Sequence, residues 1–277
     1  VTNLTDQALF VTGGTITVAQ ADVISATSTG VTTASITTTE RVSDLKTLNL
    51  TGASADTANA YTIEIAAADA VIADVADLNT IDTATSVAVD ASNVTSMTGT
   101  ASALNTLYTA ASNGTVTGIN ATETTVLSNA GAPINAGEVH TLKNTMDTVA
   151  DAASVTVAAI DASAVTSFTG RANDLLAVYA AGASGHITGL GNEDVTINEA
   201  GAGGDAKVSV ADANLIDSYT SGAITGTILE TDSTTLATLN SDADNTNSYT
   251  ITVTGNADAG DLVTLETKTA LEVTMKG

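Results

Sequence analysis

Ser86-Val-Ala-Val-Asp-Ala-Ser-Asn-Val-Thr-Ser-Met-Thr-Gly99 recurs in modified form later in the chain, and the rest of the sequence is organised around this recurrence. The second copy reads Ser154-Val-Thr-Val-Ala-Ala-Ile-Asp-Ala-Ser-Ala-Val-Thr-Ser-Phe-Thr-Gly170. Asp161 of this copy lies 71 positions after Asp90 of the first (161 − 90). A fixed offset of this kind is typical of chains that stack similar structural units. The same offset relates Leu104 to Leu175, Tyr108 to Tyr179, and Thr117-Gly-Ile119 to Thr188-Gly-Leu190.

The composition favours thin layers of small aliphatic side chains over a deep aromatic core. Of the 277 residues, 43% are hydrophobic but only 3% are aromatic, with no Trp and two Phe. Such layers suit stacked coils, in which each unit contacts only its neighbours. We therefore predict one elongated array that contains a superrepeat, with copies at about residues 86–130 and 154–201.

Alternating β-branched residues predict strands with one buried face. The clearest examples near the start are residues 11–18 and 31–39, where apolar side chains recur at every second position. We assign residues 1–40 to these Thr-rich N-terminal strands, or to an arm, and residues 41–277 to the repeat solenoid.

A second motif predicts short helices. A polar or small residue precedes two apolar residues that are three positions apart, as in Asp77-Leu-Asn-Thr-Ile81. This spacing puts both apolar side chains on one helical face, and helices this short must pack on a neighbour to be stable. A residue suited to capping often stands four positions before the first aliphatic one. These predicted N-caps are Asp74, Thr100, Asn135, Asp212, Asp232 and Asp258.

Together the two patterns predict an α/β repeat fold, an elongated solenoid of strand–turn–strand–helix coils. The intervals between helix motifs range from 20 residues (Ile216 to Leu236) to 41 residues (Leu175 to Ile216). These intervals are close to those of known solenoids. The alternative is a β-helix or a mainly-β repeat with short helices.

The charge balance restricts the partners. Seven basic residues oppose 31 acidic ones, which gives a net charge of −24. Such a surface repels the phosphates of nucleic acids and anionic membranes, so we expect neither as a partner. The sequence contains no apolar run of about 18 residues, so we also expect no membrane insertion. The acidic surface attracts cations, or serves only for solubility.

One acidic segment resembles a calcium loop. Asp242, Asp244 and Asn247 bring oxygen ligands close together, with Asp at alternate positions. The segment lacks the glycine and the final Glu of an EF-hand. We predict calcium as a possible cofactor with these three residues as ligands, and we regard residues 191–194 and 256–261 as weaker candidates.

The sequence contains no recognisable catalytic motif. It has no Cys, and its two histidines, His140 and His186, stand in no metal-binding or nucleophile motif. We therefore expect no catalytic residues and no enzymatic activity.

Two C-terminal segments carry a family resemblance. Tyr249-Thr-Ile-Thr-Val-Thr-Gly-Asn-Ala-Asp-Ala-Gly-Asp-Leu262 and Leu271-Glu-Val-Thr274 resemble repeats of very large extracellular bacterial proteins. Thr/Ala/Asp-rich repeats of this style occur in cyanobacterial-type cell-surface, surface-layer and adhesin proteins. The resemblance covers most of residues 40–277. It implies secretion, structural or adhesive work, and often bound calcium.

These observations predict an extracellular structural repeat protein that self-assembles into a surface layer or a filament. An uncapped solenoid exposes a pairing edge at each end, so we expect assembly through Leu271 and Val273 at one end and Val11 and Ile16 at the other. The expected partners are copies of the same chain and cell-surface polysaccharide. The alternative is an adhesin or a phage-fibre-type segment that binds a receptor or a glycan, and a polysaccharide-active β-helix enzyme is a distant third.

Overall fold

The fold is mixed α/β with parallel sheets, which confirms the predicted class. The computed structural model describes residues 7–48, 59–128, 131–198, 207–240 and 247–276. Within these ranges the chain forms nine α-helices, and its strands pair in parallel. The chain divides into two compact units, Val1–Val126 with Leu142–Ala158, and Leu127–Thr141 with Ala159–Gly277.

The first unit alternates short strands with helices. A turn of 3-10 helix, Ala67–Asp69, precedes its fourth strand. Its elements are β1 (Leu9–Ile16), α1 (Val18–Ser25), β2 (Thr32–Ile36), α2 (Val42–Leu45), β3 (Ala60–Thr62), β4 (Val71–Ile72), α3 (Val75–Thr83), β5 (Val89–Asp90), β6 (Ser96–Gly99), α4 (Ala101–Asn113), β7 (Val116–Thr117) and β8 (Thr124–Leu127).

The strands of the first unit form parallel ladders. Strands β1, β2 and β3 lie side by side in that order, β6 lies between β4 and β8, and β5 pairs with β7. Val89 is the register partner of Val116, 27 positions later (116 − 89). Parallel neighbours need a long connection between them, which the intervening helices and loops supply.

The second unit has the same alternation. It includes the start of α5, whose residues from Leu142 onward belong to the first unit. Its elements are β9 (Ile134–Asn135), α5 (Ala136–Ala153), β10 (Ile160–Asp161), β11 (Ser167–Gly170), α6 (Ala172–Ala183), β12 (Ile187–Thr188), β13 (Asp194–Ile197), β14 (Lys207–Val208), α7 (Val210–Asp217), β15 (Ile224–Ile228), α8 (Ser233–Leu236), β16 (Ser248–Thr250), β17 (Thr252–Thr254), α9 (Ala259–Leu265) and β18 (Thr274–Lys276).

The sheets of the second unit are also parallel. The main sheet has the order β14-β15-β13-β11-β9, and β16 also pairs with β15. Strand β10 pairs with β12, and β17 pairs with β18. Ile160 is the register partner of Ile187, again 27 positions later (187 − 160).

The core consists mainly of aliphatic side chains, as the composition predicts. Buried and partly exposed positions alternate along strands such as β2, where Thr32, Ala34 and Ile36 are buried. This alternation confirms the prediction of strands with one buried face. Among the described residues, the largest fully buried side chains are Tyr61, Tyr108 and Phe168.

Buried hydroxyl groups link successive strands. The Thr85 hydroxyl donates to the carbonyl oxygen of Tyr61 (2.7 Å) and accepts from the N–H of Val87 (3.1 Å). The hydroxyl therefore satisfies backbone groups that the ladder leaves unpaired. The same arrangement recurs at Ser28, Thr220 and Thr269.

Most predicted helix starts are confirmed. Asp74, Thr100, Asp232 and Asp258 are N-caps whose side chains accept a backbone N–H of the first turn. Such bonds are local, which is why the sequence reveals them.

The remaining two predicted N-caps have different outcomes. Asn135 Oδ1 accepts from the N–H of Gly137 (2.8 Å) at the start of α5, as predicted. The prediction for Asp212 is wrong, because Ser209 caps α7 and its hydroxyl accepts from the N–H of Asp212. Ser209 also donates to the Asp212 carboxylate (2.8 Å), so the two candidate caps interact with each other.

The predicted strand 11–18 is too long at its C-terminal end. Strand β1 ends at Ile16, and α1 begins at Val18. Thr17 caps this helix, and its own N–H donates to the Gln20 side chain, which completes a capping box. The capping box overrides the β-propensity of the Thr-Val sequence.

The two stretches related by the offset of 71 share local backbone geometry. Gly118 and Gly189 have φ angles of 87° and 82°. A Cβ atom on either glycine would lie 2.4 to 2.5 Å from the backbone of Ser92 or Ser163, respectively. Each of these positions therefore requires glycine, both for its left-handed backbone and for close packing.

Candidate functional site

The predicted calcium ligands are only partly described. Asp242 and Asp244 lie outside the described residues. Asn247 is buried, and both ends of its amide bind protein groups: Oδ1 accepts from the N–H of Ile224 (2.7 Å) and Nδ2 donates to Asp217 (2.9 Å). Asn247 thus holds the start of β16 against β15. In the part of the chain that the structure describes, no group of three or more His, Asp or Glu side chains could hold a metal ion.

The N-terminal assembly residues lie on an edge strand. Strand β1 is the outer strand of its sheet in the described part of the chain, and Val11 is partly exposed. Ile16 is only 9% exposed and pairs with Ile36, so it belongs to the core. Phe10, which was not among the predicted assembly residues, is 70% exposed. An apolar hollow of about 450 Å³ lies beside this strand, lined by Ile16, Ala19, Gln20, Val23 and Ile24.

The C-terminal assembly residues lie just before an edge strand. The predicted strand 271–274 is wrong in its bounds, because β18 begins at Thr274. The N–H of Leu271 donates to the Thr269 hydroxyl (3.1 Å), which turns the chain before the strand begins. Leu271 is 44% exposed, and Val273 is partly exposed. Met275 of β18 is also exposed (48%).

A buried polar cluster lies beneath α4 in the first unit. The Tyr108 hydroxyl is 2.6 Å from the Thr125 hydroxyl, and both residues are fully buried. Glu123 is 5% exposed, and its Oε1 accepts from the N–H of Asn120 (3.1 Å). Its Oε2 is buried without a hydrogen-bond partner among the described residues. Burial raises the pKa of Tyr108 well above its ordinary value, and the charge of Glu123 raises it further.

The matching cluster in the second unit is connected differently. Glu193 is fully buried, and both of its carboxylate oxygens accept from the N–H of Gly191 (2.9 and 3.0 Å). The Tyr179 hydroxyl donates to Glu193 Oε2 (3.4 Å), and the Thr220 hydroxyl donates to the Glu193 carbonyl (2.7 Å). Burial raises the pKa of Tyr179, and the nearby Glu193 charge adds to this shift.

An open hollow borders this second cluster. The ring of Tyr219 stacks on that of Tyr179, with centroids 5.5 Å apart and planes inclined by 5°. The hollow beside the two rings has a volume of about 300 Å³. Gly182 and Gly185 at the end of α6, and Gly189 with Leu190 after β12, complete its wall. We call this feature the Tyr219 hollow.

Only part of this site follows from the sequence. The offset of 71 relates Tyr108 to Tyr179, and both side chains are buried. The equivalence of Glu123 and Glu193 was not predicted, because these two residues are 70 positions apart (193 − 123) and so break the offset. Ile216 and Tyr219 have the apolar spacing of the predicted helix motif, but α7 ends at Asp217. The packing of α6 against α7 brings Tyr219 to Tyr179, which no sequence pattern indicated.

Comparison of the chain with protein-family models, with curated proteins and with solved structures gave no match. No helix in the described ranges has the length and apolar character needed to span a membrane.

Proposed function

We propose that this chain is an extracellular structural repeat protein that self-assembles into a surface layer or a filament. In this proposal its strands and helices form coils of a solenoid, and copies of the chain add to one another at strand edges. The resemblance to large bacterial surface proteins supports the extracellular location. The observations below support the mode of assembly.

The regular spacing of paired strands along the chain supports the coil arrangement. Strand partners such as Val89 and Val116, or Ile160 and Ile187, come from successive stretches of similar length. Buried hydroxyls such as those of Thr85 and Thr269 connect one strand to the next in both units. Both features repeat along the chain and can continue into a further strand without new chemistry.

The assembly proposal is based mainly on the open edges of β1 and β18. Each of these terminal strands has a paired neighbour on one side only, within the described residues. Exposed apolar side chains, Phe10 and Met275, accompany these two edges. An unpaired edge with exposed apolar groups is a template for pairing with another chain.

The strong negative charge implies a role for cations in assembly. Copies that each carry a charge of −24 repel one another, and divalent cations reduce this repulsion. We propose calcium for this role, and the segment that contains Asp242, Asp244 and Asn247 as a place where it binds. Cell-surface polysaccharide remains the proposed external partner.

The test is electron microscopy and light scattering of the purified chain over a range of concentrations, with calcium and with a chelator. We expect ordered polymers that are favoured by calcium. The double variant Phe10→Lys/Met275→Lys places charge on both edges and should remain monomeric with an unchanged circular dichroism spectrum. Leu215→Lys, on the exposed side of α7, is the matched control, since Leu215 is 45% exposed and belongs to neither edge strand.

Two results would contradict the assembly proposal. One is a monomer at every concentration and calcium level. The other is loss of polymers in Leu215→Lys to the same degree as in the double variant, which would indicate non-specific association.

The second candidate function, glycan binding, is favoured by the Tyr219 hollow.

A further inference from the structure

We propose that the Tyr219 hollow binds the ring of an uncharged pyranose sugar. This site is independent of the edges of β1 and β18, and the inference does not rest on self-assembly. It rests on the shape of the hollow, on the chemistry of its wall and on the contrast with the first unit.

The size of the hollow suits a small ligand. Its volume of about 300 Å³ is at the lower end of the range for ligand pockets. Tyr179 is only 2% exposed and fixes the wall from below, while Tyr219 is partly exposed and stacked on it. A rigid aromatic pair with little conformational freedom loses little entropy when a ligand binds.

The wall combines an apolar surface with polar backbone. Tyrosine offers an apolar ring and a polar hydroxyl, and Leu190 adds aliphatic surface. Gly185 and Gly189 are exposed and contribute backbone to the lining, and Thr188 adds a hydroxyl group. A pyranose has the complementary pattern, an apolar C–H face and a rim of hydroxyl groups.

The negative charge of the chain favours an uncharged sugar over an acidic one. The chain carries −24 overall, and the carboxylate of Glu193 lies next to Tyr179 behind the hollow. Sugars that carry carboxylate or sulfate groups are therefore repelled. A neutral sugar keeps its hydroxyl groups available as donors and acceptors without this penalty.

The first unit has different side chains at the positions that correspond to Gly182 and Tyr219. The residue 71 positions before Gly182 is Ala111, which adds a methyl group within α4. Because the loop before Glu193 is one residue shorter, the residue that corresponds to Tyr219 is Val149, 70 positions earlier (219 − 149), which lies within α5. Helix α7 ends at Asp217, so in the second unit the chain turns and presents Tyr219 instead. Among the described residues, the stacked tyrosine pair is therefore a feature of the second unit.

The experiment is an NMR titration of the isotope-labelled chain with methyl pyranosides of glucose, galactose, mannose and N-acetylglucosamine. The expected result is a set of saturable shifts at the amides of Gly182, Gly185 and Gly189, with a Kd on the order of 1 mM for at least one sugar. Methyl glucuronide should bind at least about tenfold more weakly than methyl glucoside.

Two variants and one control locate the site. Gly182→Ala introduces the residue of the first unit, and its Cβ would lie 2.9 Å from the flexible end of Leu190, so the fold should tolerate it. Gly182→Ala and Tyr219→Ser should each weaken binding at least about tenfold. Ala111→Gly, the reverse exchange in the first unit, should leave binding unchanged.

Three outcomes would overturn the proposal. The first is the absence of saturable shifts with every sugar at about 20 mM, well above the expected Kd. The second is equal or stronger binding of phenol at the same amides, which would indicate a general apolar hollow. The third is unchanged binding in a folded Tyr219→Ser chain. Each is measurable on the monomeric Phe10→Lys/Met275→Lys variant, so failure here is distinguishable from failure of the assembly proposal.

Discussion

The polar clusters beneath α4 and α6 occupy equivalent places, yet they satisfy their hydrogen bonds differently. Between Ile119 and Glu123 the loop has three residues, whereas between Leu190 and Glu193 it has two. After the shorter loop, Val195 takes the buried position that Thr125 occupies in the first copy. Tyr179 therefore lacks a threonine partner on the adjacent strand.

This difference redirects a buried tyrosine to a carboxylate. Tyr108 bonds Thr125 and leaves Glu123 Oε2 without a partner among the described residues. Tyr179 donates to Glu193 instead, and both oxygens of that carboxylate accept hydrogen bonds. The two clusters thus differ in whether the buried carboxylate is fully partnered, which matters because an unpaired buried polar atom is costly.

The largest expected effect concerns the glycines that both copies share. Gly118→Ala and Gly189→Ala place a Cβ within 2.6 Å of serine backbone atoms, at positive φ. Each should lower the free energy of unfolding by about 3–5 kcal/mol, from overpacking and backbone strain together. Urea denaturation followed by circular dichroism measures this loss.

Gly114→Ala and Gly185→Ala are the matched controls for the glycine prediction. These glycines also have positive φ, 78° and 81°, but their Cβ positions face open space. In these two variants backbone strain alone should lower the free energy of unfolding by about 1–2 kcal/mol. An equal loss in all four variants would show that the close approach to Ser92 and Ser163 contributes nothing.

An effect of intermediate size is expected when the two buried carboxylates, those of Glu193 and Glu123, are replaced by amides. Glu193→Gln replaces an acceptor oxygen by an amide donor in a fully partnered group, and should destabilise by about 1–2 kcal/mol. Glu123→Gln replaces a charged group with an unpartnered oxygen by a neutral one, which is cheaper to bury, and should be neutral or stabilising. The two melting temperatures measure the difference. Greater destabilisation by Glu123→Gln would refute the hydrogen-bond assignments of the two clusters.

The smallest effect is a loss of stability at high pH. Burial raises the pKa of Tyr108 and Tyr179 above the ordinary value of 10.0, so the folded chain retains protons that the unfolded chain releases. Stability therefore falls as pH rises beyond about 10. The slope between pH 9 and 11 should be shallower in Tyr108→Phe and in Tyr179→Phe. A slope unchanged in both variants would mean that other groups cause the loss.

Local chemistry explains what the sequence could predict. The caps Asp74, Thr100 and Asp258 act on backbone groups within three residues, so a short sequence window contains the whole interaction. Where two nearby residues could each cap a helix, as Ser209 and Asp212 could for α7, the sequence does not show which of them does so. At Thr17 the capping box with Gln20 ended a strand that alternation alone would have continued.

The candidate sites depend on contacts that no short window contains. The hydrogen bond from Tyr179 to Glu193 spans 14 positions, and that from Thr220 to Glu193 spans 27. Neither follows from the offset of 71, because the shortened loop shifts the register by one residue. The offset of 71 therefore leaves the partner of each buried side chain undetermined.

The α/β class, an aliphatic core and most helix starts could be predicted from the sequence, because these follow from side-chain periodicity and from bonds between near neighbours. Only the folded chain shows which buried carboxylate is fully hydrogen-bonded and where the Tyr219 hollow opens. These features depend on how segments that are distant in the sequence meet in space. The glycine and glutamate variants test this division directly.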